Sequence, residues 1–150
     1  MGSQEVVRDN LDEAEAAQLC KTRWAIINVW RPIRHEVTRD PLAVCDASSI
    51  PESDLCGVKA VLPQDSDAKR VSKGDNFETW HLKSNPAHRW YYLSGMKPDE
   101  ALLIKIFDSK KDGRARRTPH TSFTSDKDHG PPRESIEIRS FVFWEDQSVE

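Results

Sequence analysis

Cysteine is scarce and poorly spaced for cross-linking. Cys20, Cys45 and Cys56 are an odd count with no CxxC pair, which argues against a disulfide framework or a zinc knuckle. Reduced thiols in a cytoplasmic protein are expected instead. Long hydrophobic runs are missing, and no stretch approaches the roughly 18 apolar residues that span a bilayer. The opening MGSQEVVRDNLDEAEAA is acidic and has no apolar h-region, so it does not read as a secretory signal. Val6 stands where a myristoylation site wants serine or threonine. Positive charge is not in excess: 22 basic residues face 25 acidic ones, for a formal net charge of −3. No global field draws the chain to nucleic acid or an anionic membrane. Also absent are a GxSxG elbow, a cysteine–histidine nucleophile signature, a glycine-rich phosphate cradle, an internal repeat and a low-complexity segment.

What is present fits one domain over residues 1–150, with 37% hydrophobic and 31% charged residues. Residues 10–22 read as one N-terminal helix, with Asn10 as cap and Glu13 completing a capping box. Acidic Asp12, Glu13 and Glu15 lie near its positive end, and Lys21 and Arg23 near its negative end. A sheet over about 24–144 follows. Trp24–Ile33 is apolar on both faces except at Asn28, as in a central strand. Leu42–Asp46 and a short element at Val58–Leu62 come next, within a polar region whose Lys69, Arg70 and Lys73 read as a solvated loop. FETWHLKS alternates. HRWYYLS sets Trp90, Tyr91 and Tyr92 side by side, so their rings must divide between two faces. ALLIKIFDS is the clearest strand, and KKDGRARR after it reads as an exposed hairpin tip. In the last strand Ser135, Glu137, Arg139 and Phe141 share one face and Ile136, Ile138, Ser140 and Val142 the other, as in a half-buried strand. One helix and six or seven strands without parallel crossovers give a mainly β, antiparallel barrel or jelly roll.

The candidate chemistry centres on His120, placed at a strand end and followed by Arg133 and Arg139. A facial iron site needs two histidines and a carboxylate, and HxD or HxE supplies two of them from one strand face. Here the residues two after His35, His81, His88, His120 and His129 are Val37, Lys83, Trp90, Ser122 and Pro131, none acidic. His120 therefore reads either as a distal metal histidine or as a loop histidine bonded to backbone. Arg133 or Arg139 can grip a carboxylate with both guanidinium nitrogens. Metal-free acid–base chemistry is the alternative, an isomerase or cyclase using His88 and His120 with Tyr91 or Tyr92 on a substrate oxygen. Asn28 and Trp90 are candidate substrate-pocket residues. Asn28 needs hydrogen-bond partners, from a neighbouring loop or from a pocket.

The strings INVWRPI, DPLAVCDASSI, NPAHRWYYLSGMKPDEALLIKIFDS, RRTPHTSF and PPRESIEIRSFVFW together resemble the fungal asaB-type hydroxylase/desaturase family, in order and over nearly the whole chain. The resemblance implies a double-stranded β-helix (jelly-roll) fold and a role in secondary-metabolite biosynthesis on a small-molecule substrate. It implies Fe(II) and 2-oxoglutarate as cofactors, with His120 as distal metal histidine and Arg133 and Arg139 on the 2-oxoglutarate carboxylate. It also implies that these residues correspond to the C-terminal half of a longer member, whose HxD motif lies upstream. On that reading the jelly roll is incomplete, and His120 binds metal only if other ligands come from elsewhere. Uncovered edges predict a homodimer or a partner chain. A non-catalytic relic is the third outcome.

Overall fold

The computed structural model describes residues 3–60 and 77–149. The basic cluster at 69–73 and the end of the short element expected at 58–62 lie outside the described residues. Two short helices stand where one was expected: α1 (Ser3–Arg8) and α2 (Glu13–Leu19). The reason is Asn10. Its side-chain amide donates back to the Val6 carbonyl at 2.8 Å, and the Asn10 and Leu11 N–H groups both reach the Val7 carbonyl. Asn10 thus closes α1 rather than capping a following helix. Asp12 occupies the N-cap of α2 and makes no side-chain cap bond.

The strands are β1 (Thr22–Pro32), β2 (Leu42–Cys45), β3 (Leu55–Ala60), β4 (Phe77–Leu82), β5 (Trp90–Tyr92), β6 (Leu102–Asp108), β7 (His120–Ser122) and β8 (Ser135–Ser148). They form antiparallel sheets in the orders β6-β1-β8 and β5-β2-β7, with β3 and β4 as a separate hairpin. The apolar β1 is central, as its composition predicts. It pairs along its whole length with β8, which runs past Trp144 to set Ser148 opposite Thr22.

Alternation makes Trp24, Ile26, Asn28, Trp30 and Pro32 the buried face of β1. Two clusters lie on it. Near the start of β1, Val7 and Ala16 from the helices pack on Trp24 and Ile26, with Phe107, Phe141 and Phe143 around them. Near its end, Trp30 packs with Val37, Met96 and Ile104, and Leu42 of the second sheet closes on the same cluster. The helices cover the sheet at the start of β1, and the two three-stranded sheets meet near its end. Asn28 sits between the two clusters.

β8 is less buried than its alternation suggests. Both of its faces are exposed from Ser135 to Arg139, where β1 is its one sheet neighbour among the described residues. On the outer face Val29 is paired with both Leu103 and Ile138. Leu103 is 72% exposed, Ile138 58% and Ile136 47%. The loop from β7 to β8 folds over residues 38–40 through His129 N–H to the Thr38 carbonyl and Asp40 N–H to Asp128. Gly130 has φ +69° there, and a Cβ on it would lie 2.8 Å from Thr38 Oγ1, so the close approach needs glycine. That fold-back delivers Arg133 to the start of β8.

Candidate functional site

A polar residue inside an apolar strand must find partners, because a buried amide left unpaired costs roughly 1–3 kcal/mol. Asn28 is fully buried and finds them across the ladder. It stands directly opposite Arg139. Its Nδ2 donates to Glu137 Oε1, and its Oδ1 accepts from Arg139 Nε at 3.3 Å. Ser135, Glu137 and Arg139 share the inner face of β8 with Asn28 and Trp30, since residues i and i+2 on a strand point the same way.

Arg133 enters the same region from the preceding loop. Its guanidinium lies 5.1 Å from the Trp30 ring centroid, and Nη1 donates to Ser135 Oγ at 3.1 Å. Its Nε is buried and has no hydrogen-bond partner among the described residues. A guanidinium over an indole, with a donor still unpaired, suits a carboxylate that brings two acceptor oxygens.

His120 opens β7 rather than ending a strand as expected. The preceding residues 116–119 bridge the two sheets: Thr118 N–H donates to the Lys105 carbonyl and Cys45 N–H to the Pro119 carbonyl. The strand begins only where the chain has reached β2. Nδ1 of His120 lies 3.0 Å from the Thr118 carbonyl. A carbonyl only accepts, so Nδ1 carries the proton and Nε2 keeps its lone pair for another group. Val44 is paired with His120 on one side and Tyr91 on the other. His120 and Tyr91 therefore share a face of the sheet, while Trp90, opposite Cys45, belongs to the other. All three rings of the aromatic run are largely exposed, at 41% for Trp90, 56% for Tyr91 and 45% for Tyr92.

His88 is engaged elsewhere. Its ring is nearly fully buried, and Nε2 meets Asp54 Oδ2 at 2.9 Å. Asn85 Nδ2 donates to the same oxygen at 2.7 Å. The Asn85 amide bond, then the His88 contact, hold the Asp54 carboxyl below the usual range against the opposing effect of burial. The group ties the β3–β4 hairpin to the turn before β5. At the exit of β2, Asp46 accepts from the Ser48 hydroxyl and from Arg89 Nη2 at 2.8 Å each, and these bonds lower its carboxyl to about 2.

The sequence reading did not join Glu137 to Asn28, or Trp30 to Arg133. The first was within reach. A lone asparagine in an apolar central strand calls for polar residues at matching positions of the neighbour, and Ser135, Glu137 and Arg139 are the alternating polar set. The second depended on a loop path that no local pattern encodes.

Comparison with known proteins matches residues 1–143 to a family model described as an oxidoreductase/YMDC permease-like domain. No helix among the described residues is long and apolar enough to cross a membrane. The chain is 49% identical over 97% of its length to hydroxylase/desaturase efuI of Hormonema carpetanum, covering 50% of that protein. It is 52% identical over 94% of its length to hydroxylase/desaturase CTB9 of Cercospora beticola, covering 43% of it. Among solved structures it is similar to the iron and alpha-ketoglutarate-dependent endoperoxidase NvfI, with a TM-score of 0.79 and 31% identity over 93% of this chain and 49% of that one. The chain thus spans about half the length of the curated relatives it matches.

Set against iron, these residues fit in part. Among the described residues no group of three or more His, Cys, Asp and Glu side chains is placed to hold a metal ion. His120 offers one nitrogen with its tautomer held by Thr118, which is one donor and not a facial set of three. Set against a 2-oxo dicarboxylate, the fit is better, because the unpaired Arg133 donor and the Ser135 hydroxyl lie together. The fold, with its antiparallel jelly-roll sheets, and the sequence likeness agree: this chain belongs to the fungal hydroxylase/desaturase family of oxidoreductases.

Proposed function

We propose that the chain is the half of a non-haem iron, 2-oxoglutarate-dependent hydroxylase/desaturase that carries one metal histidine and the co-substrate site, and that the enzyme acts on a small intermediate of fungal secondary metabolism. The observation that carries this reading is the state of His120. Its Nδ1 proton is spent on a backbone carbonyl and its Nε2 is left available, as a metal-ligating histidine requires. Arg133 is the co-substrate arginine. Arg139 has already committed its Nε to Asn28, whereas Arg133 keeps a buried donor unpaired. Asn28, itself bonded to Glu137, holds Arg139 in place. Tyr91, on the face of His120, is a hydrogen-bond donor towards substrate, and Trp90 is an apolar wall. His88 is structural, because its ring is closed off by Asp54; this removes the second histidine that a metal-free isomerase or cyclase would use.

The remaining metal donors come from a second polypeptide, either another copy of this chain or a partner chain. Exposed Leu103, Ile136 and Ile138 and the free edge of β8 support such a cover. Free cysteines at 20, 45 and 56 agree with a cytoplasmic, reducing location. Anaerobic titration with Fe(II) and 2-oxoglutarate tests the reading, followed through the visible charge-transfer band of the ternary complex. A saturable band that is lost in Arg133→Gln is expected. No band and no retained iron, in the chain or in its assembly, would overturn it in favour of a metal-free enzyme or a non-catalytic relic.

A further inference from the structure

Within the KKDGRARR segment Lys111, Asp112, Gly113 and Ala115 are exposed, as expected of a hairpin tip, but its arginines are not. Arg114, Arg116 and Arg117 are each half-buried and line one side of a cavity of about 210 Å³. The opposite wall comes from the turns after β2 and the start of β3, with Ile50 and Leu55, and Pro119 completes the lining. Pro119 is the residue before His120, so the cavity adjoins the candidate metal histidine through the backbone.

The three arginines are not equally occupied. Arg114 is held by Asp112, its Nε 2.6 Å from Oδ1 and its Nη2 on Oδ2. Arg116 donates its Nε to the Asp108 carbonyl at 2.7 Å and lies 5.3 Å from the Phe107 ring centroid. Those contacts fix its direction while neither Nη has a protein partner among the described residues. Arg117 reaches Glu52 only at 3.3 and 3.5 Å, and the Glu52 side chain is 82% exposed. The other face of Arg117 lies 5.2 Å from the ring of Trp80, itself 63% exposed. Arg116 and Arg117 thus line a small hollow across from Ile50 and Leu55, where Ser48 and the solvated Glu52, which is weakly held by Arg117, also stand. Guanidinium is suited to a planar carboxylate, and the wall is suited to a short carbon skeleton.

We propose that this cavity binds the carboxylate of a small apolar acid, with Arg116 and Arg117 as the anion grip and Ile50, Leu55 and Pro119 against its carbon body. This deepens the oxygenase reading by naming the substrate class, a monocarboxylic acid, and rests on that reading only for calling the acid a substrate. The site is separate from Arg133.

Calorimetric titration of the iron-free chain, without 2-oxoglutarate, with trans-cinnamate and with neutral cinnamyl alcohol tests it. Cinnamate is expected to bind saturably and at least about tenfold tighter than the alcohol. Arg117→Gln, which gives up the weak Glu52 contact and the Trp80 ring contact, should lower cinnamate affinity by about tenfold or more, with its urea unfolding midpoint measured alongside. Arg133→Gln should leave it unchanged. Equal affinity for acid and alcohol, no saturable binding, an unaffected Arg117→Gln, or displacement by equimolar inorganic phosphate would each overturn the proposal. Because neither iron nor 2-oxoglutarate is present, failure here leaves the oxygenase reading standing. Loss of the charge-transfer band leaves this site standing.

Discussion

Arg139 and Asn28 face each other across the β1–β8 ladder, joined from Nε to Oδ1 at 3.3 Å. The asparagine is fully buried, whereas Arg139 and Glu137 are both exposed. That asymmetry decides the cost of breaking the group. In Asn28→Leu the two charged partners rehydrate instead of being stranded, so the loss should be modest, about 1–2 kcal/mol by urea unfolding. A loss of more than about 4 kcal/mol would mean that leucine does not fit the site and that packing dominates.

The two arginines of β8 and its lead-in should separate in function. Arg133→Gln is expected to weaken 2-oxoglutarate binding by about tenfold or more, the scale of one lost charge-assisted hydrogen bond. Arg139→Gln should weaken it less, because Arg139 is already engaged by Asn28. Isothermal titration of both variants checks the order, and the reverse order would move the co-substrate site to Arg139.

Asp108 is fully buried and accepts both Nε and Nη2 of Arg23, at 3.2 and 2.8 Å, together with Lys105 Nζ and the Lys110 N–H. Burial pushes its carboxyl up, but the Arg23, Lys110 and Lys105 bonds outweigh it and hold it at about 2. A folded value below the unfolded one means stability that is present above about pH 4 and lost as pH falls towards 2, about 2 kcal/mol in all. Arg23→Ala leaves Lys105 as the remaining cation, so a loss near 3 kcal/mol, the lower end for a broken buried pair, is expected. The acid branch of a pH–stability curve should flatten in Asp108→Asn.

Leu103, Ile138 and Ile136 form an apolar strip on the outer face of the β6-β1-β8 sheet. Light scattering over a concentration series should show association of the chain alone, and Leu103→Lys with Ile138→Lys should shift it towards monomer. A clean monomer at every concentration would rule out the homodimer and leave a separate partner chain as the cover.

His88→Ala should loosen the β3–β4 hairpin, seen as lost amide protection over residues 55–60, since the ring ties Asp54 to the turn before β5. If His88 were instead an acid–base group, the variant would lose turnover while keeping that protection.

Much of the framework follows from local pattern. The apolar run at 24–33 makes a central strand because nothing polar but Asn28 interrupts it, and ALLIKIFDS and SIEIRSFVFW alternate as strands must. The lack of an acidic residue two positions after any histidine is a statement about sequence alone. The helix region was misread because an asparagine can close a helix as well as open one, and only the neighbouring carbonyls decide which.

Residue order and chemistry by themselves determined most of the strands, the antiparallel class and the family. Tertiary structure alone decided which polar groups meet. Arg133 finds Trp30 because a loop folds back through Gly130, His88 is spent on Asp54, and the basic loop turns inward because Arg116 bonds the Asp108 carbonyl. Each of these contacts joins elements through loops whose paths are set by packing and backbone hydrogen bonding at a distance, which hydrophobic periodicity does not encode.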